Sequence, residues 1–188
     1  MYHIKSDKRS IKSAELIYAG LLKCLAEKPL AKITVTDVEK ASTVSRATFY
    51  RHFDSIADVL YWQCDCCFRQ LAASYTPPQG AAMPYHFIKY FFEFWFANFE
   101  ILEILMQNNK ADFIFACHVK NLKILTDKMP QNCNAVTEHY DYFIGIRAGL
   151  MIGVLTVWLE KGKKETPEEL LGIICRQMDF FRAANPIV

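Results

Sequence analysis

The 188-residue sequence lacks the marks of most enzymes. It has no Gly-rich phosphate loop, no nucleophile elbow and no His-Glu metal motif. No catalytic residue and no cofactor are therefore expected, and His118 and His139 stand isolated. The seven cysteines (24, 64, 66, 67, 117, 133, 175) are odd in number and scattered, which argues against a disulfide framework and for reduced thiols. Cys64-x-Cys66-Cys67 lacks the two-residue spacing of zinc sites and has no neighbouring His, so it is read as structural thiols and no metal is expected. The first eight residues lack the apolar core of an export signal, and a cytoplasmic protein is expected. Strand alternation and internal repeats are also missing.

What is present is helical. Hydrophobic residues make up 52% and aromatics 14%, enough for a sizeable core in one compact head and a larger body. The net charge of +2 is unevenly divided: residues 1–53 hold 10 Lys/Arg against 5 Asp/Glu, and residues 54–188 hold 12 against 15. A basic head on a mildly acidic body suits nucleic acid.

Apolar spacing predicts a first helix over Ser10–Glu27, with Ile11, Ala14, Tyr18, Leu21, Leu22 and Leu25 inward. A short second helix begins at Thr34 or Thr36, with Thr36–Glu39 at capping-box spacing. A third is capped by Ser45 and runs to about His52, burying Phe49 and Phe53. Ser55 caps a fourth, which Thr76–Gly80 breaks. One long aromatic helix is read over Pro84–Met106, with His86, Lys89, Glu93, Glu100 and Glu103 as its solvated face. Further helices are expected near 109–128, 135–161 and 167–184. Gly162 ends one and Thr166-Pro167-Glu168-Glu169 begins the last.

Residues 33–53 are two short helices joined by a tight turn. The second is polar on its outer face and fits the major groove, where Arg and Thr read base edges. Arg46, Tyr50, Arg51, His52 and the hydroxyls of Thr34, Thr36, Ser45 and Thr48 suit bases or phosphates, with Ala47 beside them.

This segment closely resembles the DNA-binding domain of the TetR family of bacterial regulators over roughly residues 10–60. The resemblance rests on Thr34-x-x-Asp37-Val38, Ala41, Val44-Ser45 and Thr48-Phe49-Tyr50-Arg51-His52-Phe53. It implies an all-α fold, with a helix-turn-helix head over 1–54 and a regulatory and dimerisation body over 55–188. It also implies DNA contact by Thr48, Tyr50 and His52, with Arg46 and Arg51 tuning sequence preference. The sequence departs from the family pattern at Thr43, where glycine is usual, at Ala47, where Gly or Pro is common, and at Ile56, where a phosphate-contacting lysine is usual.

Three readings of the body stay open. Phe91, Trp95, Phe99, Phe113 and Phe143 line an apolar effector pocket, or they are plain core. Arg147 meets an acidic ligand, or one of Glu93, Glu100 and Glu103, and the glutamate is favoured. Gly145, Gly149 and Gly153, with Trp158 and Leu171, form a dimer interface, or the glycines mark a tight crossing within the chain. Tyr142–Leu159 is apolar enough to suggest a membrane span, but Arg147 near its middle favours a helix packed on a partner helix. The expected function is a DNA-binding regulator. It acts as a homodimeric repressor released from a palindromic operator by a small, largely apolar effector, or it docks a protein co-regulator in place of an effector.

Overall fold

The structure, a computed structural model, describes residues 1–76, 83–126 and 139–184. These residues form an all-α chain: α1 (Lys8–Glu27), a 3-10 turn (Leu30–Lys32), α2 (Val35–Ser42), α3 (Arg46–His52), α4 (Ile56–Ser74), α5 (Met83–Ala97), α6 (Glu100–Gln107), α7 (Ala111–Thr126), α8 (Tyr140–Glu160) and α9 (Pro167–Ala184). Most of the expected break at Thr76–Gly80, and the expected helix start near 135, lie outside the described residues.

Helix α1 begins at Lys8, two residues before its expected start, because Asp7 accepts the Ser10 N–H at 2.9 Å and caps it. Its buried face is also rotated from the expected stripe. Ser10, Ala14, Ile17, Gly20, Leu21 and Cys24 are buried, while Ile11 and Leu22 are exposed. The cause is the closeness of α2: a Cβ on Gly20 would lie 2.5 Å from the Ser42 Cβ. No side chain fits at position 20 between two backbones that near, so the α1–α2 approach, together with hydropathy, sets the inner face.

Thr34, not Thr36, caps α2. The Thr34 N–H donates to Asp37 Oδ2 at 2.7 Å, and the Asp37 N–H returns to Thr34 Oγ1 at 3.2 Å. Glu39, the alternative box partner, is committed elsewhere: its Oε1 accepts the Arg46 N–H at 3.1 Å, tying α2 to the start of α3. Helix α2 ends on Thr43 in the left-handed region, φ 63°. A β-branched residue there is strained by ~1–2 kcal/mol, only partly offset by the chain entropy that glycine would cost. Thr43→Gly is therefore expected to stabilise the protein by about 1 kcal/mol, read as a higher urea midpoint with an unchanged slope. A lower midpoint would show that the threonine makes compensating contacts.

Ser55 and Asp58 form a second reciprocal box at the start of α4, where Ile56 is partly buried against the core. Helix α4 then packs on both α1 and α7. The aromatic segment read as one helix is two. The Asn98 side chain donates to the Phe94 carbonyl at 2.8 Å while its own N–H bonds Trp95 O in a tighter, three-residue step. An amide side chain competing for helix carbonyls in this way interrupts the ladder, and α6 restarts at Glu100. At the far end the expected signals hold. Gly162 (φ 78°) and Lys163 donate back to Leu159 O and Trp158 O, and Thr166 and Glu169 exchange bonds at 2.8 and 3.3 Å.

Candidate nucleic-acid interface

Phe49 and Phe53 fasten α3 to the head. Both are fully buried, with ring centroids 5.8 Å apart, and Phe53 meets Trp62 of α4 edge-on. With that side of α3 committed to packing, the opposite side is presented. Arg46, Ala47, Tyr50 and Arg51 are exposed, and Thr48 is half-buried. The Arg46 guanidinium lies over the Tyr50 ring, 5.6 Å from its centroid, so the two side chains project as one unit.

Ser45 is the N-cap of α3, accepting the Thr48 N–H at 3.3 Å and donating to Thr48 Oγ1 at 3.1 Å. Thr34 is exposed but its hydroxyl serves the α2 cap, and Thr36 is exposed. His52 does not share the exposed face. It is buried, its Nδ1 has no hydrogen-bond partner, and burial, then the nearby Arg51 charge, pushes its pKa down. It forms part of the wall of a groove of about 470 Å³ that also takes in His3, Lys5, Arg9, Thr48 and Arg51.

Lys5 and Arg9 escape sequence reasoning because nothing local places them near α3. The chain places them: Tyr2 bridges to Phe53, and the His3 N–H donates to His52 O at 2.8 Å, folding the N-terminal arm back along α3. Lys5, Arg9 and Arg51 then line one groove with a single carboxylate, Asp7, which is occupied in capping α1, and this net positive lining suits a phosphate backbone. The basic run Lys5, Lys8, Arg9 was the available signal.

The candidate effector residues fall into groups. Phe91 and Trp95 are fully buried and in ring contact, Arg147 lies over Phe87 and near Phe143, Phe99 packs on Trp158, and Phe113 meets Tyr61. Arg147 finds none of the expected glutamates. Glu93 pairs with Lys89 and Glu103 with Lys163, while Arg147 Nη2 is buried without a partner. The glycines do not mark a crossing inside the chain either, since a Cβ added at Gly145, Gly149 or Gly153 would meet nothing within 4 Å. Trp158 and Leu171, expected at a dimer interface, are instead buried within the protomer, with Trp158 stacked on Phe96 at 4.2 Å. The outer side of α8 carries Tyr142 and Ile146, both nearly three-quarters exposed, with Leu150 and Val157 further along. Helix α8 is long and apolar enough to cross a membrane, and a third of its apolar window is buried.

Among the described residues no cluster of three or more His, Cys, Asp or Glu side chains could hold a metal. Burial pushes the Cys66 and Cys67 thiols up. The Cys64 thiol is raised first by its bond to Cys117 and then by burial, and thiols so raised are poor nucleophiles. Cys133 lies outside the described residues.

The family model for bacterial regulatory proteins of the tetR family matches residues 17–60. The crystal structure of Lin0861 from Listeria innocua superposes with a TM-score of 0.77 over 95% of this chain and 96% of that one. At 15% identity that likeness is one of fold. No curated protein matches the sequence. With a family match from the second half of α1 to the start of α4 and a presented α3 face at its centre, residues 17–60 form a DNA-binding domain of the tetR type, which supports a DNA-binding transcriptional regulator.

Proposed function

We propose that the chain acts in the cytoplasm as a homodimeric repressor, without catalysis, and leaves a palindromic operator when a small effector enters its body. The observation that carries this is the exposed, cationic outer face of α3, held rigidly over Phe49 and Phe53. Residues 1–54 serve as the head and 55–188 as the body. Arg46, Tyr50 and Arg51 contact base edges or phosphates; Thr48, Ser45, Ala47, Thr34 and Thr36 lie close to the backbone. Two such heads, related by a two-fold axis, suit half-sites one helical turn or a multiple apart.

The bare apolar side of α8, which shares a groove with Ile173 of α9, supports self-association. Glycines on that side allow a second helix to come close. Ile146→Asp is accordingly expected to convert a dimer into a monomer in sedimentation and to abolish tight operator binding with little change in monomer helicity. A monomeric wild-type protein, or an Ile146→Asp dimer, would contradict the interface. A second reading is favoured by the fully buried packing of Phe91 and Trp95: the body docks a protein co-regulator, for which the α8–α9 groove of about 400 Å³, lined by Leu150, Val154, Val157 and Ile173, gives an apolar seat.

A further inference from the structure

Arg147 is a largely enclosed cation of the body whose Nη2 has no acceptor among the described residues. Its guanidinium carbon stands 4.5 Å from the centroid of Phe87 and 5.9 Å from that of Phe143, while its buried Nη2 bonds nothing. Aromatic faces attract a cation but accept none of its N–H bonds in the plane of the fork. Burial pulls its pKa down to about 10, still charged at neutral pH.

Three further groups share the predicament. Tyr75 Oη, His86 Nδ1 and His118 Nε2 are buried and have no hydrogen-bond partner. Ring contacts gather them on the same two phenylalanines. Tyr75 lies 5.1 Å from Phe87 and 6.2 Å from His86, His118 lies 5.2 Å from Phe91, and Phe87 and Phe91 are 6.3 Å apart. The Arg147 charge reaches both Tyr75 and His118, lowering the pKa of each against or alongside the effect of burial. Native interiors rarely leave one such group unpaired, and four of them from four elements in one neighbourhood call for a common partner.

We infer that this cluster recognises a small carboxylic acid with an apolar body. Arg147 takes the carboxylate through two parallel N–H bonds, Tyr75 and His118 donate to its remaining lone pairs, and Phe87 and Phe91 meet the apolar part. A carboxylate fits better than a phosphate because one guanidinium among neutral groups balances one negative charge, not two. Arg147 on α8 faces Phe87 on α5, so a bound acid separates these helices and lies where it can alter the body. The inference rests on the effector reading above and names the effector's class.

The full-length protein is tested by thermal shift and titration calorimetry with benzoate and octanoate against benzamide and octanamide. The acids are expected to raise the melting temperature and the amides are not. Arg147→Met weakens benzoate binding about tenfold or more, and Arg147→Lys retains part of it. Ligand-free Arg147→Met melts above the wild type, because an unpaired buried charge is gone. Equal responses to acid and amide, acid binding that survives in Arg147→Met, a stronger response to phenyl phosphate than to benzoate, or a ligand-free Arg147→Met that melts lower would each overturn the inference. Operator binding by the same preparations separates the two readings. Protein that binds DNA but not acids loses only the carboxylate site, and protein that binds acids with no change in DNA affinity loses only the effector role.

Discussion

Arg46→Ala is expected to lower affinity for the selected operator about a thousand-fold while leaving the fold intact. An arginine reading a base edge is worth about 2 kcal/mol, and a two-headed protein loses it twice. The resulting ~4 kcal/mol is nearly three factors of ten at 1.4 kcal/mol each. Arg46 is exposed, and its side chain rests only on the Tyr50 ring, so stability should move by less than about 0.5 kcal/mol. The stacked pair also makes the two positions non-additive: Tyr50→Ala frees the guanidinium, and the double variant should lose less than the two single losses combined. Electrophoretic mobility shifts at fixed salt, with urea midpoints measured alongside, give both quantities. Unchanged affinity in Arg46→Ala would remove α3 as the reading helix.

The second large effect falls on a residue outside the interface. Asp65 is completely buried in α4, yet it receives Tyr2 Oη at 2.5 Å, Asn121 Nδ2 at 2.9 Å and Lys120 Nζ at 3.0 Å, with Arg69 Nε at 3.3 Å. It joins the N-terminal arm to α7 through the middle of the molecule. Asp65→Ala removes one of the two bonds made by the buried Asn121 amide and leaves the Tyr2 hydroxyl and two cations without their shared acceptor. A cost of about 3 kcal/mol follows, at the lower end for breaking a buried ion pair, because Lys120 and Arg69 are half exposed and regain water. Lys120→Ala should cost under ~1 kcal/mol, since Asp65 keeps its other partners. Burial pushes the Asp65 carboxyl upward, but the bonds from Tyr2, Asn121 and Lys120 outweigh it and hold the pKa below the usual range. Its contribution is thus full above the ordinary aspartate value of about 3.9 and is lost as pH falls toward the folded one. Asp65→Ala should flatten the acid limb of the stability profile as well as lower its plateau. Equal losses for Asp65→Ala and Lys120→Ala would contradict the hub.

What could be read from the sequence follows from how local the deciding interaction is. Caps at Ser45, Ser55 and Thr166 depend on residues three apart, and the structure keeps all three. Thr34 was harder, because the choice over Thr36 turns on Glu39 reaching α3, a contact between elements. The α1 register and the break at Asn98 depend on how closely backbones approach and on side-chain competition, neither of which hydropathy records. The outer face of α3 is legible because a seven-residue helix pinned by buried Phe49 and by Phe53 at its C-cap has only one other side. His52, Lys5 and Arg9 were not, since the returning arm decides their surroundings. Asp65 gave no sign at all between two cysteines, and its partners come from 63, 55 and 56 residues away.

The most direct test is selection of bound duplexes from a random pool by the purified protein, followed by a salt titration on the winner. The expected winner is a palindrome whose half-sites lie one helical turn or a multiple apart. Binding is expected to weaken steeply with salt, with a slope that becomes shallower by about one for each phosphate contact removed when Lys5 or Arg9 is replaced by alanine. No enrichment at any salt concentration, or an enriched sequence still bound equally by Arg46→Ala, would contradict operator recognition through α3.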